Sequence, residues 1–362
     1  MRRILFLNPG AEIGGAERSL LELLGGLPED RYESHLMLPW HGPLIDAARE
    51  AGATVTVHPW PQGILKVGRE YIPANRLLAL LSPLLMAPVV IRLARYMRSE
   101  QIDMLHTNGT KAHIMGSLAA SLARVPLLWH LRDVLAPGTL SSILKAMARV
   151  FPTRIIANSQ ASAKSLISSA TTAKFAVIYN GLDLSEFEPR PSPPGLRASL
   201  GIGHADFVIG TLGALSPLKG HEYLIRAMPA VLREAPGARL LLVGEEMYET
   251  LGHRGHRASL EHEVQHLGLT DRVIFTGRRD DVVALYSCMD IVVLSSVRPE
   301  SFGRILVEAM ACERPVIATD LGGPREIIPS PDDGILVPPA DPAAMAHAIL
   351  SLYRGERRRR RL

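Results

Sequence analysis

Short apolar, β-branched runs alternate with longer helix-patterned stretches along nearly all of this 362-residue chain, and the alternation occurs twice. In the first half the runs are Ile4–Asn8, His35–Pro39, Thr54–His58, Ile102–His106, Leu127–His130, Ile155–Asn158 and Ala176–Tyr179. Helical stretches such as Ala16–Leu27 and Ala112–Ala123 fall between most of them. Strands that are apolar throughout, rather than at every second residue, are buried on both faces, which predicts parallel sheet covered by helices. From Pro189 to Gly203 the pattern stops, and four prolines fall within six residues. Such a stretch fits neither a helix nor a central strand and reads as a hinge. The alternation then restarts with Phe207–Leu212, Leu240–Val243, Val273–Phe275, Ile291–Leu294, Val316–Thr319 and Ile335–Val337. The fold class is therefore α/β, with two doubly wound, Rossmann-like units. Their expected bounds are 1–188 and 205–355, with a linker over 189–204 and a basic tail over 356–362. Ligands of such sheets bind outside the carboxyl ends of the strands, so two such units are expected to use a cleft between facing edges.

Composition narrows the function classes. With 47% hydrophobic and 21% charged residues the chain has material for two cores and is not a disordered polymer. Two cysteines, Cys288 and Cys312, exclude a disulfide scaffold and a four-thiolate metal site. The net charge of +4 is carried by the five arginines Arg357 to Arg361, and the rest of the chain balances at −1. The folded body is thus no nucleic-acid binder by charge. Met1 to Gly10 lacks the apolar length of a secretory leader, giving a cytoplasmic expectation. The apolar stretch Leu77–Ile91 has 15 residues, short of the roughly 20 a spanning helix needs. It reads as a buried or amphipathic helix, with a segment resting on a membrane surface as the alternative.

The strongest local signal is DIVVLSSVRPESFGRILVEAMA, Asp290 to Ala311. A strand enters a loop, and a helix is expected to start near Ser301. Backbone amides of Ser301, Phe302, Gly303 and Arg304 would then face a phosphate or developing anion, with Gly303 allowing close approach. Glu300 stands just before the first turn. Glu308 follows eight residues on, roughly 12 Å along the axis, among Leu306, Val307, Ala309 and Met310. A carboxylate there needs donors, which the vicinal hydroxyls of a ribose could supply.

A second signal is GALSPLKG after strand Phe207–Leu212. Only six of the 40 basic residues are lysines, and Lys219 alone lies beyond residue 174. A mobile ammonium at a helix start suits a diphosphate, although the spacing is not that of a Walker loop. Gly14-Gly15 after the first strand permits close backbone approach or a plain helix entry. His106 and His130 stand at expected strand ends, where histidine can donate to a sugar hydroxyl or shuttle a proton; His130 is preferred because Arg132 and Asp133 follow it. No DxD motif occurs, and no GxSxG elbow.

Taken in order, GGAERSL, DMLHTN, LLWHLRD, IIANSQASA, VIYNGLD, GALSPLKG, LLVGE, VIFTG, ESFGRILVEAMA and ATDLGGPREII resemble the retaining glycosyltransferases of family 4, also called glycosyl transferases group 1, which carry the GT-B fold. The resemblance covers about residues 4 to 350, and Glu300-x7-Glu308 is its most specific element. It implies transfer of a sugar from a nucleotide-diphosphate donor to a carbohydrate or lipid-linked acceptor, with anomeric retention and without a metal or other cofactor. On this resemblance Glu308 holds the ribose, Lys219 neutralises the diphosphate, and Glu300 stands beside the sugar. Amides around Phe302, Gly303 and Arg304 bind sugar and phosphate, Gly15 approaches the diphosphate, and His130 touches a sugar hydroxyl. The chain departs from the family at Ala214, where an arginine five residues before the lysine is usual; Arg304 is the expected substitute cation. Two other readings stand beside transfer. One is a nucleotide-sugar 2-epimerase, against which Glu300-x7-Glu308 and the lysine loop argue. The other is a catalytically weak nucleotide-sugar-binding protein, suggested by Ala214 and the short stretch after Tyr353. The arginine tail and the segment Leu77–Ile91 add a membrane surface as an expected partner.

Overall fold

The computed structural model describes residues 1–61, 76–246 and 255–362. The chain divides into two compact units, Met1–Gly181 and Leu182–Leu362. The first holds a seven-stranded sheet. Its strands are β1 (Arg2–Leu7), β2 (Tyr32–Leu38), β3 (Thr54–Val57), β4 (Met104–Asn108), β5 (Leu127–Leu131), β6 (Arg154–Ala157) and β7 (Phe175–Val177). They lie in the order β3-β2-β1-β4-β5-β6-β7, every neighbour parallel. The second unit holds β8 (Phe207–Leu212), β9 (Ala238–Val243), β10 (Val273–Gly277), β11 (Ile291–Leu294), β12 (Val316–Thr319) and β13 (Ile335–Val337). Their order is β10-β9-β8-β11-β12-β13, again all parallel.

The continuous apolar strands do what their composition requires. Along β1, Leu5 and Leu7 enter one core while Ile4 and Phe6 enter another on the opposite face. Along β8, Phe207 and Ile209 face one core, and Val208 and Leu212 face the other. Each sheet is therefore sandwiched, and its polar work is left to the strand ends. The reading of two doubly wound α/β units holds.

Three local expectations change. The proline-rich stretch belongs with the second unit: Phe187 is 2% exposed and Ile202 is buried in the second unit's core. Arg197, on the short helix Leu196–Ser199, ties this stretch down by donating to the carbonyls of Cys288 and Asp206 at 3.0 and 2.7 Å. The units accordingly part at residues 181 and 182, ahead of the prolines. Residues 77–91 fall in a helix, Arg76–Ser99, that runs through Pro83 and Pro88 and buries Val89, Val90 and Leu93. Among the described residues no helix is long and apolar enough to cross a membrane. Lastly, β4 runs on to Asn108, so His106 lies two residues inside the strand rather than at its end.

Candidate active site

In both sheets the strand order reverses at the first strand of the unit, between β1 and β4 and between β8 and β11. Crossover helices leave such neighbours in opposite directions, opening a crevice at their carboxyl ends. The residues singled out in the sequence gather at these two points.

In the second unit, β8 leads through a loop into a tight turn, Pro217–Lys219, and then into the helix His221–Glu234. Gly220 at this junction has φ +62°, and a Cβ there would lie 2.3 Å from the carbonyl oxygen of Ser295. Only glycine lets the turn rest on the end of β11. Ser295 Oγ donates to the Lys219 carbonyl at 2.9 Å, and the Val297 amide donates to Leu218 at 3.0 Å. The lysine backbone is thus fastened while its side chain stays partly exposed. Lys219 Nζ donates to Glu300 Oε1 at 2.6 Å, and Ser296 Oγ donates to the same oxygen. The only late lysine and the first glutamate of the pair are therefore brought together.

The turn after Glu300 is pinned by the loop that follows the neighbouring strand β12. Glu300 bridges to Gly322, and its carbonyl accepts the Gly323 amide at 2.8 Å. This holds residues 301–303 out of helical geometry, so the helix starts at Arg304 and not near Ser301. Phe302 is buried at 6% exposure, so its side chain anchors the turn while its backbone serves the edge. Gly303 caps the helix at φ +101°. A Cβ there would meet Leu306 and Leu294 at 3.2 and 3.3 Å. Backbone conformation and packing thus call for glycine here, beside the room for a ligand that the sequence suggested.

Glu308 is 6% exposed, and each of its carboxylate oxygens accepts from a protein donor. Arg304 Nε donates to Oε1 at 2.7 Å, and the Tyr286 hydroxyl donates to Oε2 at 2.8 Å. Burial, followed by the Glu308 charge, pushes the Tyr286 phenol well up, so the hydroxyl keeps its proton. The adjacent turn of its own helix and another helix thus supply donors to this carboxylate beside any that ribose hydroxyls would bring. Arg304 Nε is likewise committed to Glu308, which alters its expected part as substitute for the missing cation at Ala214. Tyr286 and Ser296 were not found by sequence reasoning. Ser296 carried a faint signal as a polar residue ending the run IVVLSS, whereas Tyr286, 22 residues before its partner, carried none.

In the first unit Gly14 caps the helix Gly15–Gly25, and Gly15 is exposed, with nothing within 4 Å of where a Cβ would stand. Glu17 turns back to accept the Gly14 amide at 3.2 Å. Beside this turn lies a buried polar chain that sequence reasoning did not assemble. Arg132, 6% exposed, donates from Nε to Asn108 Oδ1 at 2.6 Å. Asn108 donates to Asn8 Oδ1 at 2.6 Å, and Asn8 donates to Glu17 Oε1 at 3.3 Å. The signal available was that Asn8 and Asn108 both end apolar strands.

His130, on β5, meets His106 on the neighbouring strand β4: His130 Nδ1 and His106 Nε2 are 3.3 Å apart. Burial, then the Arg132 charge, lowers the His106 pKa to about 3 and holds His130 well below the usual imidazole range. Both rings are neutral at physiological pH. His130 Nε2 is buried without a protein partner.

The second unit thus supplies paired charges and a tight turn, and the first supplies neutral rings and amides about one guanidinium. Comparison with known proteins matches a family model to each of the two parts. Residues 206–355 match the family model described as Glycosyl transferases group 1, and residues 13–186 match Glycosyltransferase Family 4. The structure of Anabaena Alr3699/HepE in complex with UDP and glucose is similar over 100% of this chain and 92% of that one, with a TM-score of 0.83 and 30% identity. The D-inositol 3-phosphate glycosyltransferase of Segniliparus rotundus is 34% identical over 211 residues, 57% of this chain and 46% of that protein. The phosphatidyl-myo-inositol mannosyltransferase of Mycobacterium leprae is 28% identical over 302 residues, 82% and 76% of the two chains. The chain spans about half the length of the first of these curated relatives. With both units matched in order and both carrying the doubly wound sheets of the GT-B class, the chain belongs to the group 1, or family 4, glycosyltransferases.

Proposed function

We propose that this protein transfers a sugar from a nucleotide-diphosphate donor to an acceptor hydroxyl, retaining the anomeric configuration and needing no divalent metal. The observation that carries the reading is the contact between Lys219 and Glu300 at 2.6 Å, at the switch point of the second sheet and beside the Ser301–Arg304 turn. Without a ligand, ammonium and carboxylate neutralise each other. A diphosphate takes over the ammonium, and Glu300 is released to the hydroxyls of the bound sugar. As the glycosidic bond to phosphate breaks, negative charge grows on the leaving oxygen, where Lys219 and the backbone of residues 302–304 stabilise it. A cation serving the leaving group in this way is the reason a metal is not required. Glu308, steadied by Arg304 and Tyr286, holds the ribose. Gly15 offers an open backbone to the diphosphate, and His130 a ring nitrogen to a sugar hydroxyl.

The UDP and glucose of the Anabaena complex make UDP-glucose the first donor to test. The names of the inositol-directed relatives support a carbohydrate or lipid-linked acceptor. The arginine tail supports work at the cytoplasmic face of a membrane. A thermal-shift panel of UDP-, GDP- and ADP-sugars selects the donor, because a ligand bound only by the folded state raises its stability. Turnover is then followed with candidate acceptors in the presence of EDTA. Release of nucleoside diphosphate that requires acceptor, with the donor's anomeric configuration kept in the product, supports transfer. Epimerised free donor, or saturable binding without turnover, overturns it.

A further inference from the structure

His130 could serve a ligand in two chemically opposite ways, as a proton acceptor or as a hydrogen-bond donor, and its surroundings choose between them. The ring nitrogen Nδ1 faces two neighbours, Arg132 Nη2 at 3.4 Å and His106 Nε2 at 3.3 Å. A guanidinium has donors only. A proton on His130 Nδ1 would point at an arginine N–H, whereas a bare Nδ1 accepts it. One lone pair shared by two donors also accounts for both contacts being longer than the usual value of about 2.9 Å.

The guanidinium is not free to turn away. Its Nε donates to Asn108 Oδ1 at 2.6 Å and its Nη1 to Asn180 Oδ1 at 2.9 Å. Because Arg132 takes the oxygen of Asn108, the amide of Asn108 must donate onward to Asn8, and Asn8 to Gly10 O at 2.7 Å and to Glu17. Each side chain in this chain has its direction set by the one before it, back to the helix entry at Gly14.

We infer that Arg132 is a positioning residue that holds His130 in the Nε2-protonated tautomer, so that His130 meets its ligand as a neutral hydrogen-bond donor and not as a base. The consequence is visible at the other nitrogen. Nε2 is buried and has no partner within the protein, so the proton it carries is aimed at a group the protein does not supply. A sugar hydroxyl oxygen, with lone pairs to offer, fits. The charged and titratable groups facing the ring are Arg132, His106 and His113, and with burial all three oppose a second proton. That the ligand is a donor sugar rests on the function proposed above; the tautomer does not.

The full-length protein labelled with 15N-histidine provides the test, by long-range 1H–15N spectra from pH 5 to 8, with the His130 signals assigned by their loss in His130→Gln. The expected wild-type pattern is an Nε2-protonated ring that does not titrate over this range. Arg132→Met is expected to give mixed tautomers and a visible titration, and Arg132→Lys, which keeps a donor-only cation, to retain the Nε2 form. A wild-type ring protonated on Nδ1, or one that titrates between pH 5 and 8, overturns the inference. So does an Arg132→Met spectrum unchanged from wild type. If Arg132→Met does not fold, the wild-type spectrum decides by itself. With a turned-over donor, Arg132→Met should lose roughly tenfold in kcat/KM at pH 8, with a new acid limb that a purely structural role would not create. Should no donor be turned over by the wild type, the transferase reading fails while the spectra still decide the tautomer.

Discussion

The two sheets offer a ligand the same topological place and furnish it with different chemistry. At the β8–β11 switch point the groups are ionised: Lys219 with Glu300, partly open to solvent, and behind them Arg304 with Glu308, largely buried. At the β1–β4 switch point they are neutral and buried: Asn8, Asn108, His106 and His130, gathered about the single guanidinium of Arg132. Ionised groups that solvent can reach exchange partners cheaply, as phosphate binding demands. Buried neutral groups hold direction but cannot take up charge without a large desolvation cost.

Acid should separate the two units most strongly. Burial, foremost, lowers the pKa values of His106 and His113 to about 3 and that of His130 well below normal in the first unit, and that of His221 to about 3 in the second. Below the free value of about 6.5 the unfolded chain takes up protons that the folded chain refuses. The stability contributed by these neutral rings is therefore complete above about pH 6.5 and is lost on acidification towards pH 3. The slope is about 1.4 kcal/mol per pH unit for each histidine. Amide exchange at pH 7.5 and pH 5 should show β1, β4 and β5 losing protection before β8 and β9. Equal losses would break the contrast.

Next in size is Glu308→Ala, which leaves the Arg304 guanidinium and the Tyr286 hydroxyl buried without their carboxylate. A loss of about 3–5 kcal/mol is expected, read as a lowered denaturant midpoint, with Glu308→Gln recovering part of it. Lys219→Ala should do the reverse. Its pair is partly exposed, so stability should change little, while turnover with the preferred donor falls roughly 100-fold. A variant that unfolds but keeps its rate would contradict the assignment. The smallest effect is expected for Tyr286→Phe, about 1 kcal/mol of stability, together with a raised KM for the donor as Glu308 loosens. An unchanged KM would reduce the tyrosine to a packing role.

Strand positions were legible because buried parallel strands carry apolar residues throughout, a signal that needs no partner to be read. Their ends were less so, and for a reason tied to function. Thr107 and Asn108 are polar yet 0% and 1% exposed, so the end of β4 looked like loop in the sequence. The start of the helix at Arg304 was misplaced because the preceding turn is held by Gly322 and Gly323, some 20 residues away in sequence. Glu300, Glu308 and Lys219 stood out by spacing and rarity. Tyr286 acts only through neighbours that folding brings to it, and no local pattern marks such a residue, while Asn8, Asn108 and Arg132 showed only as polar residues closing or following apolar strands.

The burial of Phe187 decides where this protein can be cut. A C-terminal fragment begun at residue 205, the break that the prolines invite, would leave behind Phe187 and Ile202 and the carbonyl clamp of Arg197. Two apolar holes would open beneath β8, and the severed piece should expose a sticky flank. A fragment begun at Leu182 carries its own plug and is the one to express, crystallise or titrate with nucleotides.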